Sequence, residues 1–113
     1  MKVAVYSRTF EQSFLQYIKN FFHWLNAYEF EVYVYHDFLQ FMENYFGYRP
    51  VFTGTFNGYS DIGGDMDFVV SIGGDGTFLD TVSLVRDTGI PVIGINSGKL
   101  GFLASISKEN IHQ

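Results

Sequence analysis

Asp67-Phe-Val-Val-Ser-Ile72-Gly-Gly-Asp75-Gly-Thr77-Phe-Leu-Asp80 is the stretch on which the reading of this chain turns. Asp67 to Ile72 is a short β-branched apolar run of the kind that fills a parallel strand buried on both faces, and it stops at two glycines. Beyond them Phe78, Leu79, Val82 and Val85 recur at helical spacing. The pattern predicts a helix from Thr77 to about Arg86, which makes Gly73 to Gly76 a strand-to-helix loop. Such a loop suits an anion. Its glycines let the backbone approach a phosphate, and the amides of Gly76, Thr77 and Phe78 would point at it from the helix start. Gly74, Gly76 and Thr77 would line the phosphates, while Gly73 makes the turn. Asp75 has two readings: a helix cap in a tight turn, or a carboxylate that accepts a hydroxyl proton or holds a magnesium ion beside the bound phosphate.

A second glycine segment, Gly94-Ile-Asn96-Ser-Gly98-Lys99-Leu-Gly101-Phe102-Leu103, follows another apolar run from Pro91 to Ile95. Two such loops at the ends of neighbouring strands would face one crevice. Asn96 there would either bond a ribose or cap the turn. Phe102 would either stack a base or pack into the core, since the chain holds 13 Phe.

The rest of the chain supplies strands and helices in alternation. Lys2 to Tyr6 alternates around Val3 and Val5 and reads as a strand, with Ser7 and Arg8 in the loop at its end; Arg8 is either a solvated cation or one that reaches a phosphate. Thr9-Phe-Glu-Gln12 has the spacing of a capping box before a helix whose stripe is Phe10, Phe14, Ile18, Phe21 and Leu25, ending near Asn26. Glu31 to His36 is a second strand. Asp37 with Gln40 repeats the capping pattern for a helix through Phe46, closed by Gly47. Tyr48 to Met66 has no period; Val51 to Phe56 is the candidate strand within it, and Gly63-Gly64-Asp65 reads as a turn. Gly89 closes the helix that follows the main motif, and Pro91 opens the next strand. Leu103 to Ile106 is a candidate strand, and Ser107 onward reads as the start of a helix. The order predicts an α/β fold with a mainly parallel sheet, its ligand at the carboxyl ends of the strands.

Composition bounds the rest. With 113 residues, 47% hydrophobic and 19% aromatic, the chain has the makings of one packed domain and not of a disordered one. A net charge of −5 with seven Lys and Arg argues against a nucleic-acid footprint. The three histidines are too scattered for a metal site, Asp61, Asp65 and Asp67 lack calcium-loop spacing, and no metal ligand set is predicted. No cysteine, spanning segment or leader pattern is evident, and the expectation is a soluble, cytoplasmic protein without a membrane partner.

Gly73-Gly-Asp-Gly-Thr-Phe-Leu79 together with Gly94-Ile-Asn-Ser-Gly-Lys-Leu-Gly-Phe-Leu103 resembles the NAD kinase family, which phosphorylates NAD to NADP. The first motif alone is shared with lipid (diacylglycerol) kinases and, more loosely, with phosphofructokinases; the pair is more specific. The resemblance covers Lys2 to about Ile106. It implies a Rossmann-like or phosphofructokinase-like amino-terminal domain, so that residues 1–113 are one nucleotide-binding domain of a longer two-domain kinase whose carboxyl-terminal β-rich domain is absent here. It further implies that Asp75 takes the proton of the adenosine ribose 2′-hydroxyl, and that Phe102 contacts the adenine of NAD. ATP, or polyphosphate in some relatives, would be the donor with magnesium or another divalent cation, and the full-length protein would be a homo-oligomer. The isolated stretch is expected to be inactive. Two rivals stay open: a lipid or sugar kinase sharing the first motif, which predicts no NAD binding, and a non-catalytic nucleotide-binding module.

Overall fold

Side chains of the first strand alternate between two covered faces, which is why every residue from Val3 to Ser7 is buried. The structure, a computed structural model, describes residues 1–58, 61–62, 65–85 and 88–96. Its elements are β1 (Lys2–Ser7), α1 (Leu15–Ala27), β2 (Glu31–Tyr35), α2 (His36–Phe46), β3 (Gly54–Phe56), β4 (Phe68–Gly73), α3 (Asp75–Val85) and β5 (Val92–Asn96), with a 3₁₀ turn at Gln12–Phe14 leading into α1. The strands form one sheet in the order β3-β2-β1-β4-β5, and every pairing is parallel. The expected α/β architecture with a parallel sheet flanked by helices is therefore the one observed.

Each face of the sheet has its own core. Val3, Val5, Val32, Val34, Val70 and Ile72 meet Phe14, Ile18, Phe21, Phe22 and Leu25 of the first helical segment and Phe38, Leu39 and Met42 of α2. On the opposite face Ala4, Tyr6 and Val69 meet Ile62, Met66 and Ile90 together with Val85 of α3. The first two helices thus cover one face and α3 the other. The chain moves outward from β1 through β2 to β3, then returns to start again at β4, so the direction of winding reverses between β1 and β4. Ligands of doubly wound sheets bind at the carboxyl edge beside such a reversal.

Both expected capping boxes are absent. Glu11 occupies the cap before the 3₁₀ turn with extended backbone (φ −81°, ψ 154°) and no side-chain bond, and Thr9 is exposed. Packing of Phe10 accounts for this. Its ring stacks on Phe46 at 5.1 Å and meets Phe14, Phe38 and Phe41 edge-on, so the chain is held extended until the ring is seated and only then turns. In α2 the strand runs straight into the helix. Tyr35 sits at the cap without a side-chain bond, and Asp37 lies inside the first turn, where its charge complements the helix dipole. Gly47 closes α2 in the left-handed conformation (φ 62°), as its position suggested, and Tyr48 N–H donates to the Met42 carbonyl at 3.2 Å.

Smaller differences follow from pairing. The expected strand from Val51 to Phe56 shrinks to β3, three residues long, because only Tyr33 to Tyr35 of β2 are opposite it. The three acids before β4 serve separately: Asp61 accepts from Asn57 N–H, Asp65 from Lys2 Nζ, and Asp67 from Lys2 N–H. Asp65 lies in a turn; Gly63, Gly64, Arg86 and the candidate elements after Ser97 lie outside the described residues.

Because an aromatic cluster and not a cap sets the entry to α1, Phe10→Ala should lower unfolding free energy by roughly 2–4 kcal/mol, somewhat below a fully buried Phe truncation. Thr9→Ala should change it by less than about 0.5 kcal/mol. Urea denaturation of the two variants checks both.

Candidate functional site

Gly73, at the end of β4, decides the geometry of the central loop. A Cβ on this residue would lie 2.6 Å from Thr77 Oγ1 and 2.8 Å from Thr77 Cβ, so the first turn of α3 can close onto the strand only over a glycine. That closure starts the helix two residues earlier than its apolar spacing implies, at Asp75 in place of Thr77. The Phe78 N–H donates to the Gly74 carbonyl at 3.1 Å, the first bond of the helix. Phe78 therefore does not offer a free amide as expected; the amides without an intrahelical acceptor are those of Asp75, Gly76 and Thr77. Farther along, the buried Thr81 hydroxyl donates back to the Thr77 carbonyl at 2.8 Å.

The other two glycines of the loop differ from Gly73. Neither Gly74 nor Gly76 has any atom within 4 Å of where a Cβ would stand. Internal packing does not require glycine there, and both positions are exposed.

The loop borders a cleft of about 350 Å³ lined by Ser71, Gly74, Asp75, Phe78, Gly94 and Ile95, among others. Its size is at the small end of ligand sites. The Phe78 ring lies over Gly94, where a Cβ would come within 2.8 Å of Cδ1, so the glycine inside β5 is what lets α3 approach the sheet at this point. Asn96 ends β5 directly opposite Gly73 in the register. Of the residues singled out from sequence, Gly74, Asp75 and Phe78 line this cleft and Gly76 and Thr77 belong to the same helical turn. Phe102 lies outside the described residues.

Arg8 is placed elsewhere. It follows β1 and lines a second cleft, also of about 350 Å³, at the ends of β1 and β2. It is ion-paired with Asp80 of α3, a partner that spacing along the chain did not reveal. Hydrogen bonding to Tyr6 and then the charge of Asp80 raise the Arg8 pKa further above its ordinary value. In the same cleft burial, followed by the charge of Asp37, pushes the Tyr35 phenol up, which keeps it a neutral donor. Gly94, as an isolated glycine within a strand, carried a readable signal of close approach; Asp80, Tyr6 and Tyr35 carried none, since only the fold brings them to this edge.

Comparison with known proteins gives one family. The model of the ATP-NAD kinase N-terminal domain matches residues 3–113. A protein named NAD kinase from Flavobacterium johnsoniae is 36% identical over 111 residues, covering 98% of this chain and 37% of its own length. Another of that name from Bacteroides fragilis is 34% identical over 113 residues, covering 100% of this chain and 38% of its own. A third, from Methanothermobacter thermautotrophicus, is 51% identical over 47 residues. The chain thus spans well under half the length of these relatives.

The contrast among the loop glycines is measurable by urea denaturation. Gly73→Ala forces a clash with Thr77 and should cost about 1–3 kcal/mol of stability. Gly76→Ala, in open space and on a helix, should stabilise the fold by roughly 0.5–1 kcal/mol.

Proposed function

The chain belongs to the NAD kinase family through its ATP-NAD kinase N-terminal domain, and on that premise we propose that it supplies the phosphate loop and the proton acceptor for transfer of a phosphoryl group from ATP to NAD. The acceptor atom is the adenosine ribose 2′-oxygen, as the resemblance implies. That oxygen bonds the terminal phosphorus of ATP while the bond from phosphorus to the ADP oxygen breaks, and the hydroxyl proton passes to the Asp75 carboxylate. The products are NADP and ADP.

One observation carries the reading. Asp75 stands in the first turn of α3 beside glycines 74 and 76, which face open space that the protein's own packing does not use. A phosphate can approach such backbone closely, and the unengaged amides of Asp75, Gly76 and Thr77 with the positive end of the helix favour its charge. Phosphoryl transfer asks mainly for positioning and charge neutralisation, so these elements form a sufficient partial set. The helix cap is Gly74, whose carbonyl takes the first bond of α3, and Asp75 as no more than the first helical residue would leave the open glycines unexplained.

The remaining roles are assigned on the same basis. Gly74, Gly76 and Thr77 line the phosphates, Phe78 walls the cleft with its ring, and Asn96 at the end of β5 serves the NAD adenosine together with Phe102. Magnesium is ordinarily held by one or two carboxylates together with substrate phosphates. Among the described residues no group of three or more His, Cys, Asp or Glu is arranged to hold a metal, so the carboxylate available to an ATP-bound magnesium at this cleft is Asp75. The ion would supply charge neutralisation on the phosphates. A cytoplasmic setting follows from the composition read above, and assembly of the full-length protein into homo-oligomers from the resemblance. Among the described residues no helix is long and apolar enough to cross a membrane.

In the full-length protein Asp75→Asn keeps shape but removes charge and basicity. It should lower kcat by at least about a hundredfold with NAD affinity within a few-fold, the scale of a lost general base. Steady-state kinetics and calorimetric titration of NAD check this; a near-normal kcat would leave Asp75 as a first-turn acid that complements the dipole of α3, and failure of the unaltered protein to form NADP would favour a lipid or sugar kinase, or a non-catalytic module.

A further inference from the structure

Beside its buried stripe α1 carries a polar one, in which Gln16, Lys19, Asn20, His23 and Asn26 recur at helical spacing. The segment that follows α2 runs along this stripe and is tied to it twice. Asn26 Nδ2 donates to the Val51 carbonyl at 3.1 Å, and Lys19 Nζ lies 5.3 Å from the centre of the Tyr48 ring. The two walls enclose a cleft of about 400 Å³ that shares no lining residue with either cleft at the carboxyl edge.

Its floor is apolar and its rim basic. Buried Phe22 and Pro50 with the half-buried Tyr48 ring form the floor, and Lys19, His23 and Arg49 stand around it with no carboxylate among the lining residues. Burial pushes the Tyr48 phenol up, so it stays neutral. Of Lys2, Arg8, Lys19 and Arg49, the cations of the described residues, only Lys19 has no carboxylate partner among them. In a chain with twelve Asp and Glu against seven Lys and Arg, a half-buried lysine left without an acid is the exception. A ring face attracts an ammonium by about 0.5–1 kcal/mol but offers no oxygen to its three donors. Arg49 lies 4.9 Å over the Phe52 ring and donates to Glu43 at 2.7 Å, a surface pair that water screens and that leaves other guanidinium donors unused.

We propose that this cleft binds a small organic phosphate, its apolar body on the Phe22–Tyr48 floor and its phosphate held by Lys19 with help from Arg49. A phosphate monoester brings close to two negative charges and three acceptor oxygens, which suits two cations and the amide and imidazole donors beside them better than a carboxylate does. The volume is at the small end of ligand sites and matches one ring with its phosphate. The site stands apart from Asp75 and does not depend on the phosphoryl-transfer reading.

The test is calorimetric titration of the full-length protein with three separate probes: phenyl phosphate, inorganic phosphate and phenylacetate. Because the Gly73–Gly76 loop also suits a phosphate, binding at this cleft is the part that Lys19→Gln weakens. That variant should lower phenyl phosphate affinity about tenfold, the scale of a lost hydrogen bond to a charged group, whereas Lys19→Arg, which keeps the charge, should hold it within a few-fold. Glu43→Gln releases Arg49 and should tighten phenyl phosphate by about two- to fivefold. Within this Lys19-dependent part, inorganic phosphate should bind more weakly for want of the ring and phenylacetate for want of the second charge. Absence of saturable phenyl phosphate binding, or unchanged affinity in Lys19→Gln, would overturn the site. Equal losses in Lys19→Gln and Lys19→Arg would mark a packing role for the side chain and overturn it too. Either of the other probes binding there as tightly as phenyl phosphate would overturn the ligand class.

Discussion

The parallel pairing of β1 with β4 is the constraint on which the upper edge of the molecule depends. Five residue pairs, from Val3 opposite Phe68 to Ser7 opposite Ile72, join strands separated by more than sixty positions in the chain. Side chains clamp the ladder at both ends: the Asp67 carboxylate accepts from Lys2 N–H at 2.7 Å at the bottom, and the buried Ser7 hydroxyl donates to the Ile72 carbonyl at 2.6 Å at the top. A slip of one residue would turn Val3 and Val5 away from the α1 and α2 core and expose it. With the register held, the loop after β1 and the turn after β4 emerge side by side, which is why Arg8 reaches Asp80.

Charge is used sparingly in what results. The chain is acidic overall, with seven Lys and Arg against twelve Asp and Glu, yet the proposed ligands are anions. Backbone amides and the dipole of α3 carry most of the attraction in the proposed site, and neither requires a basic side chain. Arg8 is the one cation among the lining residues of the two described clefts at the carboxyl edge, and its pairing with Asp80 keeps its charge balanced. Acidic groups elsewhere, Asp65 on Lys2 and Glu43 on Arg49, are engaged locally and away from the edge.

Aromatic packing does the work that capping was expected to do. Phe10, Phe14, Phe38, Phe41 and Phe46 form a connected set of rings between the entry to α1 and the length of α2. Burying rings of this size outweighs a single cap bond of about 1 kcal/mol. At α2 the same preference holds the strand in place: Tyr35, the last residue of β2, packs on Tyr6 and Phe56 and the helix starts directly after it, so Asp37 falls inside the first turn and not at the cap.

By itself the sequence determined what depends on local pattern. Apolar alternation and helical spacing located β1, β2, β4, α1, α2 and α3, glycines marked the turn at 73–76 and the end of α2, and the paired glycine motifs pointed to the family that the comparisons then gave. Tertiary structure alone decided the rest. The start of α3 at Asp75 depends on Thr77 closing over Gly73; the loss of both capping boxes depends on where the half-buried Phe10 and Tyr35 rings pack; and the second cleft exists because β1 and β2 end at the same edge. The physical reason is common to all three. A repeat of two or of 3.6 residues is written into neighbouring positions, whereas a contact such as Arg8 with Asp80 joins residues that become neighbours only after the parallel sheet has formed.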